Sequence, residues 1–322
     1  MPLFRYTLTP KGAFGTLMRS DTLHGHLLCA AAERHGESKA SQLIELFEAD
    51  APPFVCSSAF PQGMLPMPCL PPIPRRDFKK SDGEKTLFKD LTKYKKFKKS
   101  KYIPISLWKE LREGMSLARL FEKWCGKKDL FSCDIDRDPW SKAQITAHNT
   151  IDRATGSVLQ EGGFYLTDDV FFHKKAVLDL YVRTDDRPLF EELLAHIAET
   201  GYGRDSNLGK GHFKFELDAT FDALEFDGGS GAQSMSLSTL SAMDLSEMKG
   251  WYVTFSKHGK VWDGFGETNP FKKPILAIAE GGVFSRLPKS GYVLRGIHAD
   301  PKIVQIMWPL TIPLTIDEGG VI

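Results

Sequence analysis

Residues 201–215 read GYGRDSNLGKGHFKF, and the order of what precedes and follows them decides the fold. Gly201, Gly203, Gly209 and Gly211 surround Arg204 and Lys210. Before the loop, Pro188 suits a first helical turn. Leu189, Phe190, Leu193, Leu194 and Ile197 then form an apolar stripe, and Gly201 suits the helix end. After the loop, His212 to Leu217 alternates as a strand does. A phosphate-binding loop needs G-x-x-x-x-G-K-[ST] between a strand and a following helix. Here the order is reversed, five residues separate Gly203 from Gly209, and Gly211 replaces the Ser or Thr. The dinucleotide fingerprint also opens a helix and fails for the same reason.

Leu3 to Thr9 alternates as a half-buried strand. Leu23, Leu27, Ala30 and Ala31 have helical spacing, with Ser20 or Asp21 as N-cap and Gly36 as the stop. Phe54 to Phe60 reads as a second strand. Residues 61–76 hold six prolines, which exclude a helix or a central strand. Residues 105–124 read as helix broken near Gly114. A polar turn around Ala154-Thr155-Gly156 and then Gly162-Gly163 precede a strand, and Phe164–Phe172 with Ala176–Val182 predict a strand pair.

The sum is the β-α-β-β-α-β order of a ferredoxin-like domain with a long insertion. Residues 228–241 are Gly/Ser-rich. The segments beyond them (WYVTFS, PILAIA, IVQIMW) are strand-like with little helix. The expected fold class is α+β: one ferredoxin-like domain over 1–220, interrupted at about 61–160, and a second β-rich domain over 221–322.

Totals name no partner: 322 residues, net charge +1, 42% hydrophobic and 26% charged, as in an ordinary soluble protein. Cys29, Cys56, Cys69, Cys125 and Cys133 form no C-x-x-C pair, which argues against a zinc knuckle or a disulfide framework. The N-terminus lacks a signal-peptide core and no apolar run approaches the roughly 20 residues of a membrane span. The expectation is a cytoplasmic protein with no cofactor and no metal. Asp134, Asp136 and Asp138 lack the Gly and Glu of a calcium loop and read as a solvated turn. Charge is local instead: residues 75–101 hold twelve Lys/Arg against four Asp/Glu, with Phe88, Tyr94, Phe97 and Tyr102 interleaved.

Three motifs stand in order along the chain: Ser20-Asp21-Thr22-Leu23-x-Gly25-His26 at the first helix, His148-Asn149-Thr150-Ile151-Asp152-Arg153-Ala154-Thr155-Gly156, and the glycine loop. Lys210–Phe215 also partly matches the RNA-recognition strand motif, departing at His212 and Lys214. With the basic run ending KKFKKSKYIPI and the late Glu280–Phe284 (EGGVF), the chain resembles the RAMP proteins of CRISPR effector complexes, above all the family that supplies the fourth subunit of type III-A Csm complexes. The likeness spans nearly the whole sequence.

That resemblance implies two ferredoxin-like halves, the second degenerate. It implies a grip on the repeat-derived 5′ tag of the crRNA, and a thumb hairpin pressed into the guide–target RNA duplex. It also implies contacts with the large signalling subunit and the first backbone subunit, and no nuclease activity. By motif, the RNA-binding candidates are Ser20, Thr22 and His24; His148, Asn149, Asp152, Arg153 and Thr155; and Gly201, Gly203, Gly209, Lys210 and Gly211.

Residue chemistry runs beside this. Single-stranded RNA is held by cations, backbone amides and stacking rings. Lys95, Lys96, Lys98, Lys99 and Lys101 supply the first, and Tyr94, Phe97 and Tyr102 the last. Arg204 and Lys210 suit phosphate, the loop amides could form an anion-binding concavity, and the first helix start offers free N–H groups. Two other readings stay open. One is a guide-processing endoribonuclease using His24, His26 or His148 as general acid or base. The other is a protein–protein adaptor whose basic run meets an acidic partner. A plain connector also accounts for the glycine loop.

Overall fold

A computed structural model describes residues 1–73, 84–136, 138–159, 163–229, 231–261 and 269–317, with residues 84–90 and 128 described by backbone only. Arg75 to Gly83 of the basic run, the end of the proline connector, Gly162 and Ser230 lie outside the described residues.

The chain begins with β1 (Leu3–Pro10), α1 (Ser20–His35), α2 (Glu37–Glu48), β2 (Phe54–Cys56), β3 (Phe60–Pro61) and β4 (Met64–Pro66). Next come α3 (Glu84–Phe97), β5 (Tyr102–Pro104), α4 (Ile105–Leu111), β6 (Glu113–Met115) and α5 (Leu117–Gly126). A long pair, β7 (Ser141–Asn149) and β8 (Phe164–Phe172), precedes β9 (Leu178–Thr184), α6 (Arg187–Thr200) and β10 (Phe213–Leu217). The remainder is α7 (Ala223–Asp227), a single turn, then β11 (Gln233–Ser236), β12 (Lys249–Trp251), β13 (Thr254–Lys257), β14 (Ile275–Ile278), β15 (Val283–Arg286), β16 (Val293–Leu294), β17 (Gln305–Ile306) and β18 (Thr311–Ile316).

The first sheet has the order β10-β1-β9-β2, with β3 also on β9, and every pairing is antiparallel. Side chains alternate across it. Tyr6, Leu8, Leu180 and Val182 face α1, α2 and α6 through Leu23, Leu27, Phe47, Phe190 and Ile197. Leu3, Val55, Phe60 and Tyr181 point the other way, into a second core with Trp108, Leu111, Leu120, Met235, Ile312 and Leu314. A sheet covered on both faces explains why all but Arg183 of β9 are buried.

The segment inserted at 61–160 divides in two. Its helical part joins the second core, and β6 pairs in parallel with β18, completing the sheet β12-β15-β11-β18-β6. Gly114 does break the helix there, because residues 113–115 become that strand. Its other part begins the hairpin β7–β8, whose second strand lies beyond residue 160 and which forms its own two-stranded sheet. This corrects the expected pairing of Phe164–Phe172 with the strand after it. β8 runs against β7 over nine residue pairs, from Ser141↔Phe172 to Asn149↔Phe164, while β9 is an interior strand between β1 and β2.

The two sheets meet along a buried polar seam. Ser238 Oγ donates to the Cys56 carbonyl (2.7 Å) and accepts from Leu310 N (2.9 Å). Ser58 N donates to the Leu237 carbonyl (2.9 Å). Glu280 accepts from both Ser58 Oγ (2.5 Å) and Thr239 Oγ1 (2.8 Å). Buried hydroxyls matched in this way avoid the cost of burying an unpaired polar group.

Asp179, on β9, is fully buried and accepts from Gly63 N (2.8 Å). Burial pushes its carboxyl up to about 6, although Gly63 N–H and Arg5 pull the other way. The folded state therefore binds the proton more tightly than the unfolded chain does. The stability this contributes is complete below about pH 4 and lost as pH rises through about 6. Asp179→Asn keeps an acceptor for Gly63 and removes the ionisation. Chemical denaturation from pH 4 to 7 should show the variant gaining on the native chain, by up to about 3 kcal/mol at pH 7.

Candidate nucleic-acid interface

The glycine loop is tightly packed against protein, and most of its backbone donors bond to protein acceptors. Gly201, Gly203, Gly209 and Gly211 all have positive φ, between 76° and 93°. Tyr202 N donates to the Gly211 carbonyl (3.0 Å), Gly211 N to Ala13 (2.9 Å), Gly203 N to His26 Nε2 (3.0 Å) and Arg204 N to Thr16 Oγ1 (3.3 Å). Gly209 N and Lys210 N bond to Ser206 and Asp205 carbonyls. Most of the amides expected to line an anion-binding concavity, those of Tyr202, Gly203, Arg204 and Leu208 to Gly211, thus already have protein acceptors.

The loop's two cations are also paired. Lys210 Nζ donates to both carboxylate oxygens of Asp169 (2.9 Å each) and to Asp205 (2.8 Å). Arg204 Nη2 donates to the Asp168 carbonyl (2.6 Å) and to Asp169 Oδ1 (3.0 Å). Tyr202 is fully buried. Its hydroxyl accepts from Arg19 N (3.1 Å) and donates to the Leu17 carbonyl (3.2 Å), pinning the segment ahead of α1.

Two candidates of the first motif are withdrawn as RNA contacts. Ser20 and His24 have no accessible surface. Ser20 does not cap α1, whose N-cap is Arg19; its Oγ instead accepts from Thr239 N (2.9 Å), 219 residues away. His24 lies between Phe47 and Phe54, and its Nδ1 meets the Ser20 carbonyl (2.7 Å). Burial lowers its imidazole to about 4, and likewise that of His26. The helix start expected to be open to phosphate is covered: Ser20 N donates to Ser58 Oγ (3.0 Å), and buried Asp21 pairs with Lys257. Thr22, half-buried beside it, accepts from Lys257 Nζ (2.9 Å).

The second motif lies on the outer part of the β7–β8 hairpin. Partners across the pair share a face, so the hairpin has two distinct sides. One shows Ile145 (64% exposed), Leu166 (58%) and Phe164 (62%). The other carries His148, stacked on Tyr165 (5.0 Å between centroids, 12°) and hydrogen-bonded with Thr167 Oγ1 (2.9 Å), and ends at Asp169. Beyond Asn149 the strands continue through an Ile151–Val158 bridge. Asp152 braces the tip by accepting from Ala154 N (2.8 Å), leaving Arg153 and Thr155 exposed.

The basic run divides by helix face. Lys95, Lys96, Lys98, Lys99 and Lys101 are exposed at and beyond the end of α3. The rings among them point inward: Phe97 is 1% exposed, Tyr94 packs beside it, and Tyr102 sits against Trp140. Of the rings expected to stack on bases, Phe97 is therefore a core residue, and Tyr94 and Tyr102 are partly buried against the same core. Two cations outside the expected set lie beside the seam: Arg19, over the Phe255 ring at 4.7 Å, and Lys257. Standing apart from the basic run, they carry no composition signal.

Gly211 tests the closed loop. At φ +76° a Cβ there would lie 2.0 Å from the Tyr202 carbonyl oxygen, whereas at Gly209 nothing stands within 4 Å. Gly209→Ala should cost about 1 kcal/mol from backbone strain alone. Gly211→Ala should cost about 3 kcal/mol or more as the backbone is forced apart, measured by denaturant unfolding of the two variants.

No model of a protein family matches the chain. Among curated proteins it is 25% identical over 325 residues, 98% of each chain, to the CRISPR system Cms protein Csm4 of Thermococcus onnurineus (strain NA1). Among solved structures it is similar to a chain of the Csm3–Csm4 subcomplex of the type III-A CRISPR-Cas interference complex, at TM-score 0.59 and 15% identity, covering 97% of this chain and 99% of that one. It is similar, too, to a chain of the Csm1–Csm4 cassette in complex with pppApA, at TM-score 0.56 and 17% identity, covering 99% and 100%. The chain is thus a homologue of a Csm4 protein, at 25% identity along its whole length, and it shares the fold of chains in the Csm3–Csm4 and Csm1–Csm4 structures.

Proposed function

We propose that this chain is a non-catalytic, RNA-binding subunit of a type III-A CRISPR ribonucleoprotein acting in antiviral defence. In this reading it caps the 5′ repeat-derived tag of the crRNA and bridges the large signalling subunit to the backbone filament. The fold reading that accompanies it is a ferredoxin-like RAMP unit over 1–220 and a degenerate, β-rich second unit over 221–322. The order β10-β1-β9-β2 with α1 and α6 on one face supports the first unit.

The observation that carries the function is the hairpin β7–β8. A two-stranded ribbon is marginal in water by itself, yet this one extends well past its base and exposes Ile145, Phe164, Tyr165 and Leu166. Such surface marks an interaction site, and its shape suits the thumb that enters the guide–target duplex. Exposed Lys95, Lys96, Lys98, Lys99 and Lys101 supply phosphate-seeking charge, as Arg153 does at the tip with Asn149 and Thr155 nearby. The histidines support the non-catalytic part. His24 and His26 are buried and held neutral at physiological pH, and His148 is stacked on Tyr165 and bonded with Thr167.

For partners, the similar solved structures contain Csm1 and Csm3 beside Csm4. Equivalent neighbours are assigned to this chain. Among the described residues no helix is long and apolar enough to cross a membrane.

Native pull-down with sequencing of bound RNA from its 5′ end should recover short guides sharing one 5′ tag, together with Csm-type subunits. Recovery of the partners without RNA would sink the RNA-binding reading. Changing Lys95, Lys96, Lys98 and Lys99 together to Glu should weaken RNA retention more than tenfold. If these four meet phosphates, the salt dependence of log K should flatten by about 3, from roughly 0.7 per lost contact. His148→Ala should leave any RNA in the preparation uncut, as in the native chain; a cut that the variant abolishes would favour an endoribonuclease.

A further inference from the structure

Asp169 lies at the base of the hairpin and is 2% exposed, an unusual place for a carboxylate unless it is fully partnered. It is. Lys210 reaches both its oxygens at 2.9 Å, Arg204 reaches Oδ1 at 3.0 Å, and Thr146 Oγ1, across the ladder on β7, reaches Oδ2 at 3.1 Å. Burial alone would push this carboxyl up, but the hydrogen bonds from Lys210, Arg204 and Thr146 hold it below its ordinary range. One side chain therefore joins both strands of the hairpin to both cations of the glycine loop.

The second attachment of the hairpin is close by. Phe14 and Val170 exchange both backbone hydrogen bonds (2.9 Å each), and the Phe14 ring meets Phe172 at 5.1 Å. The glycine loop is rigid where it receives Asp169, because its amides bond to Ala13, Thr16 and His26. From the register position of Asp169, opposite Gln144, the ribbon runs nine residues to Arg153. At about 3.3 Å per residue that is a lever on the order of 30 Å. A rotation of about 10° at its base would swing the tip by roughly 5 Å over that length.

We infer that Asp169 is a positioning residue, and that the Lys210–Asp169–Arg204 cluster fixes the direction in which the hairpin leaves the body. The cations of the loop then act on the hairpin and not on RNA phosphate, since a phosphate would have to displace a buried carboxylate from both. This rests on the reading of the hairpin as the element that meets the guide–target duplex.

The test uses the full chain in its complex. In Asp169→Asn, amide exchange should accelerate at least tenfold across Ser141–Asn149, Phe164–Phe172 and residues 203–210, with β1 and β9 unchanged. Lys210→Met should do the same, and Lys210→Arg, which keeps the charge, should restore slow exchange. Photocrosslinks from a probe at Thr155 to the RNA should spread over more nucleotides in the first two variants than in the native complex. Unchanged exchange in both Asp169→Asn and Lys210→Met would overturn the proposal. Native chains that give no crosslink while the variants still loosen would overturn the guide-duplex reading and uphold the positioning role.

Discussion

The polar seam between the two five-stranded sheets sets how they sit against each other. Ser238 Oγ binds strand β2 through the Cys56 carbonyl and the approach to β18 through Leu310 N at once. Ser20 ties α1 to Thr239, and Glu280 gathers Ser58 and Thr239. Apolar contacts slide more readily than matched hydrogen bonds, which have fixed directions. A buried hydroxyl or carboxylate left without its partner costs more than the bond itself contributes. The seam therefore fixes one relative placement of the sheets, and the second core forms around it.

From that placement the exposed elements follow. The helical insertion is not an appendage: β6 extends the C-terminal sheet, and Trp108, Leu120 and Trp124 belong to its core. This leaves the lysines at the end of α3 on the outside, because Phe97 and Tyr94 take the inward face. The hairpin leaves at the opposite end of the insertion, where Phe14, Tyr202 and Phe213 form a ring cluster with Phe172 at its root. A sparsely packed ribbon is held at one end by a dense cluster of aromatic and ionic contacts.

The glycine loop shows how one composition can serve two opposed purposes. Positive φ and the lack of a side chain let a backbone approach a phosphate, and they equally let it approach another backbone. At Gly211 the neighbour is the carbonyl of Tyr202, and at Gly203 it is Thr16. Arg204 and Lys210 are equally ambiguous by type. One of their carboxylates, Asp205, lies within the loop; the buried one, Asp169, lies on β8, 35 and 41 residues away in the chain, and nothing local to the loop announces it.

By itself, the sequence determined the elements whose causes are local. Pro188, the stripe from Leu189 to Ile197 and Gly201 mark α6, found at Arg187–Thr200 with Asp186 as its cap. Gly114 marks the interruption between α4 and α5, and alternation marks β1 and β10. The motif order along the chain also carried the relationship to Csm4. Tertiary structure alone decided which strand β8 joins, that Ser20 and His24 are core residues, and where the charges of Arg204 and Lys210 go. Periodicity and capping are set within a few residues, so the sequence displays them. Pairing, burial and ionic partnership depend on groups tens to hundreds of positions apart, and only the folded chain brings those together.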